Sequence, residues 1–379
     1  MLVIVILITS AVFLRSVQGK LQLSTEKVCY RVECMNYKTL KFIALVLLTV
    51  LLTGCKKEPE DLIKESSIQE DKIQIGVTFE SYVIERWQRD RDVFVSTANE
   101  LGADVNVQTA SGSLEKQIEQ INYFIKKEMD VIVIIAADSN SLTEVVKTAQ
   151  DKGIKVIAYD RLIKNANVDL YISIDSKKVG ELMAQCMVDS IPEEGKISIV
   201  LGPQTDYNVM LLEQGIQSIL VTSSFEILNK NYAKNWLAEK GFSTVMETLS
   251  TNDSFDGIIC GNDDLANHAI RALAESRMAG EVVVVGQDAD LSACQRIVEG
   301  TQTMTVYKPI EKMASLAAEN AVRLAKGEEI IVKETTIDGK YKVPSIKLDP
   351  VAVTIENLDE VIIDSGFHVR EEVYLNYTE

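Results

Sequence analysis

The strings GQDAD (residues 286–290) and MTVYKP (residues 304–309) each accompany an apolar run of the kind that forms a buried β-strand. The same arrangement recurs where AYDR (residues 158–161) ends one apolar run and GNDD (residues 261–264) ends another. In an open parallel sheet, ligands bind in the crevice outside the carboxyl ends of the strands. The sequence therefore predicts that polar side chains from several strands gather at one edge and form a binding site.

Apolar runs and amphipathic segments alternate along the rest of the chain. The first group of predicted strands lies at residues 73–77, 105–107, 131–135, 155–158 and 170–174, with helices at 85–101, 114–127 and 142–152. The pattern then restarts, with strands at residues 197–201, 225–228, 257–260, 282–285 and 303–306 and helices at 179–189, 208–220, 235–248, 264–276 and 291–298. Strands separated by helices pair in parallel. The pattern predicts an α/β protein with two doubly wound parallel-sheet lobes and a ligand cleft between them.

A helix at residues 311–325 and an apolar stretch at residues 343–355 follow the second group. We expect the chain to cross between the lobes three times, near Asp175, Tyr307 and Val343, and so to form a hinge. The predicted first lobe comprises residues 73–176 and 308–343, and the second comprises residues 177–307 and 344–379. A folded part of roughly 300 residues is about the size at which one core divides into two.

The N-terminal segment predicts export. Lys38 and Lys41 precede an apolar run at residues 42–52, which ends in the string LTGC (residues 52–55). This pattern is typical of a secretory signal that ends in a lipobox. It predicts a signal over residues 1–54, a lipid on Cys55 and a charged tether over residues 55–72, on the extracytoplasmic face of a bacterial cell membrane. An uncleaved transmembrane helix is the alternative, but the run is shorter than the ~20 apolar residues that span a bilayer.

A further apolar run, at residues 1–14, precedes Met35, from which a complete signal could begin. We therefore expect translation of the natural protein to start at Met35. Mass spectrometry of the precursor that detects residues before Met35 would contradict this expectation.

Charge and motif content exclude several classes of function. The formal net charge of −17 argues against a nucleic-acid partner, since phosphate binding needs clustered Lys and Arg. Cys186, Cys260 and Cys294 lie in the predicted fold without CxxC spacing, so neither a disulfide framework nor a zinc site is indicated. The isolated His268 and His368 are interpreted as structural or exposed. The sequence carries no phosphate loop, dinucleotide fingerprint, HExxH or GxSxG motif. We predict a protein that is not an enzyme and binds no metal or cofactor.

Several strings resemble the bacterial extracytoplasmic sugar-binding proteins of the pentose and galactose class, which have the type I periplasmic-binding-protein fold. The matching strings are IERWQ (84–88), AYDR (158–161), YISID (171–175), GQDADL (286–291), GTQTMTVYKPI (300–310) and DSGFH (364–368). The similarity extends from about residue 73 to about residue 368. In that family a sugar lies between the lobes, where Arg, Asp, Asn and Lys bind its hydroxyls and an aromatic ring covers its apolar face. The resemblance implies a monosaccharide ligand, with D-xylose as the leading candidate and ribose, arabinose, glucose and allose left open.

The resemblance also implies a set of ligand-binding residues. Carried onto the matching positions, they are Arg86, Trp87, Asp160, Arg161, Asn208, Trp236, Asn262, Asp288 and Lys308. The stretch at residues 202–236 departs from the family pattern and is shorter, which bears on Asn208 and Trp236.

Most of these residues have a structural interpretation as well. Asp160 and Arg161 could form a strand-end salt bridge, and Asn262 could cap a helix. Gln287–Asp288 could supply another cap, and both tryptophans could be packing residues. Lys308 precedes the start of the last predicted helix, where the helix dipole disfavours a positive charge, so it requires a ligand or a carboxylate partner.

The resemblance implies two alternative partners. A lipoprotein of this family delivers its sugar to the permease of an ATP-binding cassette (ABC) importer. Some relatives instead act as sugar receptors that dock on the ectodomain of a membrane histidine kinase or chemoreceptor. A third possibility, the effector-binding core of a LacI-like repressor, requires a helix-turn-helix at the N-terminus, where this chain has its lipobox. Genes next to this one, for a permease and ATPase or for a kinase and regulator, would discriminate between the first two.

Overall fold

The computed structural model of the protein describes residues 72–376, which belong to one structural unit, Gln69–Glu379. The predicted signal segment, the lipidation site Cys55 and all of the tether except its last residue lie outside the described residues. Among the described helices, none combines the length and the apolar character that crossing a membrane requires.

Helices and strands alternate along the described chain. In order, the first elements are β1 (Gln74–Phe79), α1 (Arg86–Glu100), β2 (Asp104–Thr109), α2 (Leu114–Lys126), β3 (Val131–Ile134), α3 (Thr143–Gln150), β4 (Lys155–Tyr159) and β5 (Leu170–Ile174). Then follow α4 (Ser176–Ser190), β6 (Lys196–Leu201), α5 (Tyr207–Leu220), β7 (Glu226–Tyr232), α6 (Glu239–Thr251), β8 (Gly257–Cys260), α7 (Asp263–Glu275), β9 (Val283–Val285), α8 (Leu291–Glu299) and β10 (Thr305–Tyr307). The last are α9 (Ile310–Ala325), β11 (Glu334–Ile337), β12 (Lys342–Leu348), β13 (Val351–Val353) and α10 (Arg370–Val373).

The first lobe is built on a seven-stranded sheet with the order β11-β12-β5-β4-β3-β1-β2. All of its strands pair in parallel except β11, which pairs antiparallel with β12. Every residue of β3 is buried, as expected for a central parallel strand that is covered by helices on both faces. The strand order reverses between β1 and β3, and such a switch point opens a ligand crevice at the carboxyl ends of the strands.

The second lobe is built on a four-stranded parallel sheet with the order β7-β6-β8-β9. An antiparallel pair of β10 and β13 extends it, joined through a parallel bridge between Val285 and Met304. The order reverses between β6 and β8, which gives this lobe a switch point of its own. The structure therefore has the two doubly wound α/β lobes that the alternation predicted, arranged in the fold that the family resemblance implied.

The chain passes between the two sheets three times. It leaves the first sheet after β5, returns from β10 into α9, and leaves again between β12 and β13. The strand β12 pairs with β5 as far as Leu348, so the first sheet extends beyond residue 343, at which the sequence prediction ends the first lobe. The exact lobe boundaries remain a prediction.

The helix α6 and the strand β11 are among the elements that differ from the sequence prediction. The helix predicted from residue 235 begins at Glu239, because Asn235 and Trp236 have left-handed φ angles of 52° and 57° that an α-helix cannot include. The strand β11 was not predicted, because its burial does not alternate in the manner of a half-buried strand: Glu334, Thr335 and Ile337 are exposed.

Candidate ligand-binding site

A polar cavity lies between the lobes, at the carboxyl ends of the strands. Its lining comprises Ile84, Arg86, Trp87, Asp160, Arg161, Ser176, Asp206, Asn208, Val209, Leu212, Trp236, Gln287, Asp288 and Lys308. The structure thus places all of the predicted ligand-binding residues on this cavity except Asn262. The residues come from both lobes and from the segment that joins them.

Arg86, the first residue of α1, lies among three carboxylates. Its Nη2 is 3.1 Å from Asp160 Oδ1, its Nε is 3.2 Å from Asp90 Oδ2, and its Nη1 is 3.9 Å from Asp288 Oδ1. Tyr159 donates its hydroxyl to Asp90 on the far side. Burial alone would lower the pKa of Arg86, but the three carboxylates outweigh it and hold the pKa well above its usual value. Arg86 is therefore a permanent cation at the centre of the cleft.

Arg161, directly after β4, links the two lobes. Its Nη2 is 3.2 Å from Glu80 Oε1 in the first lobe, and its Nε is 2.8 Å from Asp206 Oδ2 in the second. Its Nη1 donates to the carbonyl of Ala136 at 3.2 Å. Burial works to lower the pKa of Arg161, and Asp206 and Glu80 together raise it above its usual value. Asp160 and Arg161 thus pair with other residues of the cleft, and no ion pair joins them to each other among the described contacts.

Asp206 and Asn208, at the start of α5 in the second lobe, contact residues of the first lobe. Asp206 Oδ1 caps α5 by accepting from the backbone N–H of Asn208 at 2.9 Å. Asn208 Nδ2 donates to Asp160 Oδ2 at 2.8 Å. Because Asn208 and Arg161 both contact the opposite lobe, the two lobes are closed on each other. The sequence reasoning missed Asp206, although its position just beyond β6, next to the switch point of the second sheet, is a signal for a site residue.

Both tryptophans of the chain line the cavity. Trp87 lies under the guanidinium of Arg86, whose Cζ is 4.5 Å from the ring centroid. Trp236 Nε1 donates to Asp206 Oδ2 at 3.3 Å. A Cβ on Gly202 would lie 2.2 Å from the Trp236 ring, so only glycine permits this approach of ring and backbone. The two rings provide apolar faces in a cavity that is otherwise polar.

Lys308 and Asp288 complete the site next to the chain crossing. Lys308 Nζ is 2.8 Å from Asp288 Oδ1, so the lysine before α9 has a carboxylate partner. Gln287 donates its side-chain amide to the carbonyl of Gly261. Neither Gln287 nor Asp288 caps a helix, since α8 has Asp290 at its N-cap position. Asp288 is thereby free to face Arg86 and Lys308.

Asn262 lies close to the sheet edge but does not line the cavity. Its Oδ1 accepts from the backbone N–H of Leu265 at 3.0 Å and caps α7, which is the structural role considered for it. Its Nδ2 is buried and has no hydrogen-bond partner. A contact between Asn262 and a sugar remains a prediction. The Nδ2 atom would have to make it, since Oδ1 already caps α7.

Unpartnered polar atoms concentrate at the site. Across the described residues, the buried side-chain atoms without a hydrogen-bond partner are Trp87 Nε1, Arg161 Nε, Asn208 Oδ1, Asn262 Nδ2, Thr301 Oγ1, Gln302 Oε1 and Thr336 Oγ1. The first four belong to predicted ligand-binding residues; Arg161 Nε is close to Asp206 but is not aligned for a hydrogen bond. A buried polar atom left unsatisfied costs about 1–3 kcal/mol. The site is therefore suited to a ligand that carries both donors and acceptors.

A second group of carboxylates lies behind the cavity. Asp263, at the start of α7, accepts from Thr305 Oγ1 at 2.6 Å, from Gln302 Nε2 at 2.9 Å and from the backbone N–H of Asp290 at 3.1 Å. Burial raises the pKa of Asp263 to about 7, and burial together with the neighbouring Asp263 raises the pKa of Asp290 well above its usual value. No set of three or more His, Cys, Asp or Glu side chains within residues 72–376 is arranged to hold a metal ion.

The raised pKa of Asp263 predicts that stability falls as pH rises. The unfolded chain loses this proton near pH 4, whereas the folded chain keeps it to about pH 7. The folded chain binds more protons across that window, so its stability decreases from pH 4 to pH 7. The melting temperature of the wild type should fall between pH 5 and pH 8. We expect this fall to be smaller by several degrees in Asp263→Asn. The exposed Asp253→Asn is the control, and parallel curves for wild type and Asp263→Asn would contradict the assignment.

Comparison with known proteins identifies the family. Residues 75–329 match the model of the periplasmic binding protein domain. The chain is 41% identical over 314 residues to a D-xylose-binding periplasmic protein of Haemophilus influenzae, covering 82% of this chain and 94% of that protein. It is 39% identical over 329 residues to a D-xylose-binding periplasmic protein of Escherichia coli, covering 86% and 98%.

A solved structure shares the fold. The carbohydrate transporter solute binding protein of Chloroflexus aurantiacus, in complex with D-glucose, superimposes with a TM-score of 0.74 at 26% identity and covers 79% of this chain and 98% of that one. With two thirds of its length matched by one domain model and relatives about 40% identical along most of it, this chain belongs to the periplasmic binding protein family.

Proposed function

We propose that the protein binds one monosaccharide, D-xylose, in the cavity between its lobes, closes on it, and delivers it to the permease of an ABC importer. The proposal is carried by the cavity itself, in which buried carboxylates alternate with guanidinium and ammonium groups and polar atoms remain unpartnered. Two relatives that share about 40% of the sequence bear the name of D-xylose-binding proteins. The protein performs no chemical reaction on the sugar.

The alternation of charges suits sugar hydroxyls. A hydroxyl both donates and accepts, so a carboxylate such as Asp160 or Asp288 accepts from it while Arg86 or Lys308 donates to its lone pairs. Such bonds are charge-assisted and directional. On binding, the buried charges exchange part of the pairing they make with each other for bonds to the ligand.

Selectivity follows from the penalty of an unpaired group. A sugar that lacks one hydroxyl, or carries it on the other side of the ring, leaves a buried donor or acceptor unsatisfied at a cost of about 1–3 kcal/mol. The rings of Trp87 and Trp236 add contact with the apolar faces of a pyranose. Since we propose D-xylose as the sugar whose hydroxyls match the site, we expect it to bind more tightly than its stereoisomers.

Closure connects binding to transport. The chain crossings before α4, after β10 and after β12 form a hinge, and a ligand that contacts both lobes shifts the population toward the closed form. Only the closed form presents the surfaces of both lobes together, and we infer that the permease binds this form.

We propose further that a lipid on Cys55 holds the protein on the extracytoplasmic face of the membrane, since the string at residues 52–55 is a lipobox. Mass spectrometry of the protein extracted from membranes tests this: a diacylglyceryl adduct on Cys55 supports it, and an unmodified chain that is cleaved elsewhere overturns it.

A strain that lacks the gene distinguishes the transport role from the signalling role. We expect the strain to lose uptake of radiolabelled D-xylose at micromolar concentration and to regain it with the wild-type gene. If uptake is unchanged while the transcriptional response to D-xylose is lost, the protein is instead a receptor for a membrane histidine kinase or chemoreceptor.

Intrinsic fluorescence tests the binding site directly, because the chain has only two tryptophans and both line the cavity. Titration with D-xylose, D-ribose, L-arabinose, D-glucose and D-allose should give a saturable change with D-xylose at the lowest concentration. If no sugar of this panel changes the emission, the proposed site loses its support.

Trp236→Ala should weaken D-xylose binding by roughly 10- to 100-fold, corresponding to the loss of one aromatic contact. The effect is expected to be smaller than that of removing a charged site residue, because the indole of Trp236 is uncharged and donates its N–H to Asp206. Calorimetric titration measures the change, and Phe242→Ala, a half-buried aromatic outside the cavity, is the control. Equal affinities of Trp236→Ala and wild type would mean that the ring only packs.

A further inference from the structure

The C-terminal tail, residues 364–376, reaches a cavity that residues of both lobes line. Phe367 and Val373 of the tail pack in a cluster with Ala289 and Ile297, which anchors the tail to the second lobe. The Phe367 ring lies 5.0 Å from the ring of Tyr307, at the end of β10. The tail therefore lies beside Asp288, at the point where this residue faces Arg86 of the first lobe.

The backbone at Asp288 and Ala289 is strained. Their φ angles are 106° and 55°, two successive positive values in residues that are not glycine. Such conformations persist only where surrounding contacts hold them, and they concentrate at functional sites. Here Asp288 N–H donates to Val306 O at 3.0 Å and Ala289 N–H donates to Thr305 Oγ1 at 3.1 Å.

The tail holds a further polar group of this turn. His368 Nε2 lies 2.8 Å from the carbonyl oxygen of Ala289. Since a carbonyl only accepts, Nε2 carries the proton and donates it. His368 thus holds the peptide between Ala289 and Asp290, directly beyond the strained pair Asp288 and Ala289, and so helps to keep this turn and the Asp288 side chain in place.

The residue before His368 contacts the opposite lobe. Arg89, one turn after Arg86 on α1, donates from Nη1 to the carbonyl of Phe367 at 2.8 Å, and its guanidinium lies 4.2 Å from the Phe367 ring centroid. Arg89 Nη1 is also 3.6 Å from Glu311 Oε1 of α9. Two successive tail residues therefore connect α1 of the first lobe with the strained turn of the second.

These contacts lie outside the sugar cavity. Arg89, Phe367 and His368 line a neighbouring cavity, and none of them lines the sugar cavity. Arg86 and Asp288 line both cavities and so form the wall between them. A change at Arg89 or His368 can therefore act on the sugar only through the wall residues Arg86 and Asp288 or through the closure of the lobes.

We propose that Phe367 and His368 form a latch that, with Arg89 as its partner in the first lobe, holds the protein closed and Asp288 in position. Arg89 and His368 are then positioning residues that set how long the closed complex retains its sugar. The inference rests on the proposed function in so far as the retained ligand is a sugar.

Dissociation kinetics test the latch. We expect Arg89→Ala and His368→Ala each to raise the dissociation rate of D-xylose by roughly 5- to 10-fold, the effect of losing one hydrogen bond. The association rate should change much less, as is usual for variants of one binding site. Stopped-flow fluorescence measures both rates in the full chain, and the melting temperature confirms that each variant is folded.

Two further variants make the test specific. His368→Gln keeps a side-chain N–H for the Ala289 carbonyl and should restore most of the wild-type rate. Arg91→Ala is the matched control, because Arg91 lies on the same helix, is partly exposed and pairs with Asp92. In the double variant Arg89→Ala/His368→Ala, the effects should combine to less than their product, because both residues act through one segment.

Several outcomes would overturn the latch. Dissociation rates of Arg89→Ala and His368→Ala within twofold of Arg91→Ala would do so, as would a His368→Gln variant as fast as His368→Ala. Binding by the wild type tests the proposed function separately. If the wild type binds no sugar, small-angle scattering tests the latch alone: Arg89→Ala should have a larger radius of gyration than wild type, and equal radii would contradict it.

Discussion

Replacing Arg161 by alanine is expected to abolish measurable sugar binding and to lower the free energy of unfolding by roughly 3–5 kcal/mol. The guanidinium lies 3.2 Å from Glu80 and 2.8 Å from Asp206, and all three side chains are buried. Without it two carboxylates remain in the closed cleft with no cation between them. Binding is lost because a donor to the sugar disappears and because the two carboxylates, one from each lobe, then repel each other. Calorimetric titration and urea denaturation measure the two effects.

The two effects can be separated by a second substitution. Asp206→Asn in the Arg161→Ala background removes one of the unpaired charges, so it should recover part of the stability while binding stays absent. Arg271→Ala is the control, because that guanidinium is mostly exposed beside Glu275 and should contribute less than ~1 kcal/mol. Wild-type affinity in Arg161→Ala would remove this residue, and the link it makes between the lobes, from the binding mechanism.

The second large effect is expected from replacing Asp288. Unlike the loss of Arg161, it should change mainly the affinity for the sugar. Its carboxylate lies 2.8 Å from Lys308 and 3.9 Å from Arg86, so it orients both cations, and we propose that it also accepts from the ligand. Asp288→Ala should abolish measurable binding. Asp288→Asn should weaken it by roughly 100-fold or more, since a truncated or neutralised buried charge pair costs about 2–5 kcal/mol. Titration calorimetry with D-xylose measures both.

The asparagine variant is the more informative of the two. The φ angle of 106° at Asp288 disfavours most side chains, whereas Asn tolerates positive φ better than Ala. Asp288→Asn therefore tests the charge with little change in the backbone, and Asp92→Asn, an exposed aspartate on α1, is the control. Affinity unchanged in Asp288→Asn would show that the carboxylate is not needed, and the site would have to be redrawn around Arg86 and Asp160.

Much of the site could be predicted because it depends on position along strands. In a parallel sheet every carboxyl end meets one edge, so Asp160, Arg161 and Asp288 could be placed together from their positions after apolar runs. For Lys308, the helix dipole predicted a ligand or a carboxylate partner without deciding between them.

The remaining features depend on contacts that leave no local pattern. Asn235 and Trp236 adopt left-handed conformations because the Trp236 ring packs over Gly202 and bonds to Asp206, and helix propensity does not reveal this. The contact of Arg89 with Phe367 joins residues 278 positions apart. No periodicity within either segment indicates such a pair, so it becomes visible only in three dimensions.

Isothermal titration calorimetry of the purified wild-type protein with D-xylose tests the central claim most directly. We predict saturable binding of one sugar per chain, with an affinity roughly 10- to 100-fold higher than for a deoxy analogue that lacks one hydroxyl. Absence of binding to D-xylose and to every other monosaccharide of the panel would contradict the account, because the paired charges from Arg86 to Lys308 would then serve only to hold the lobes together.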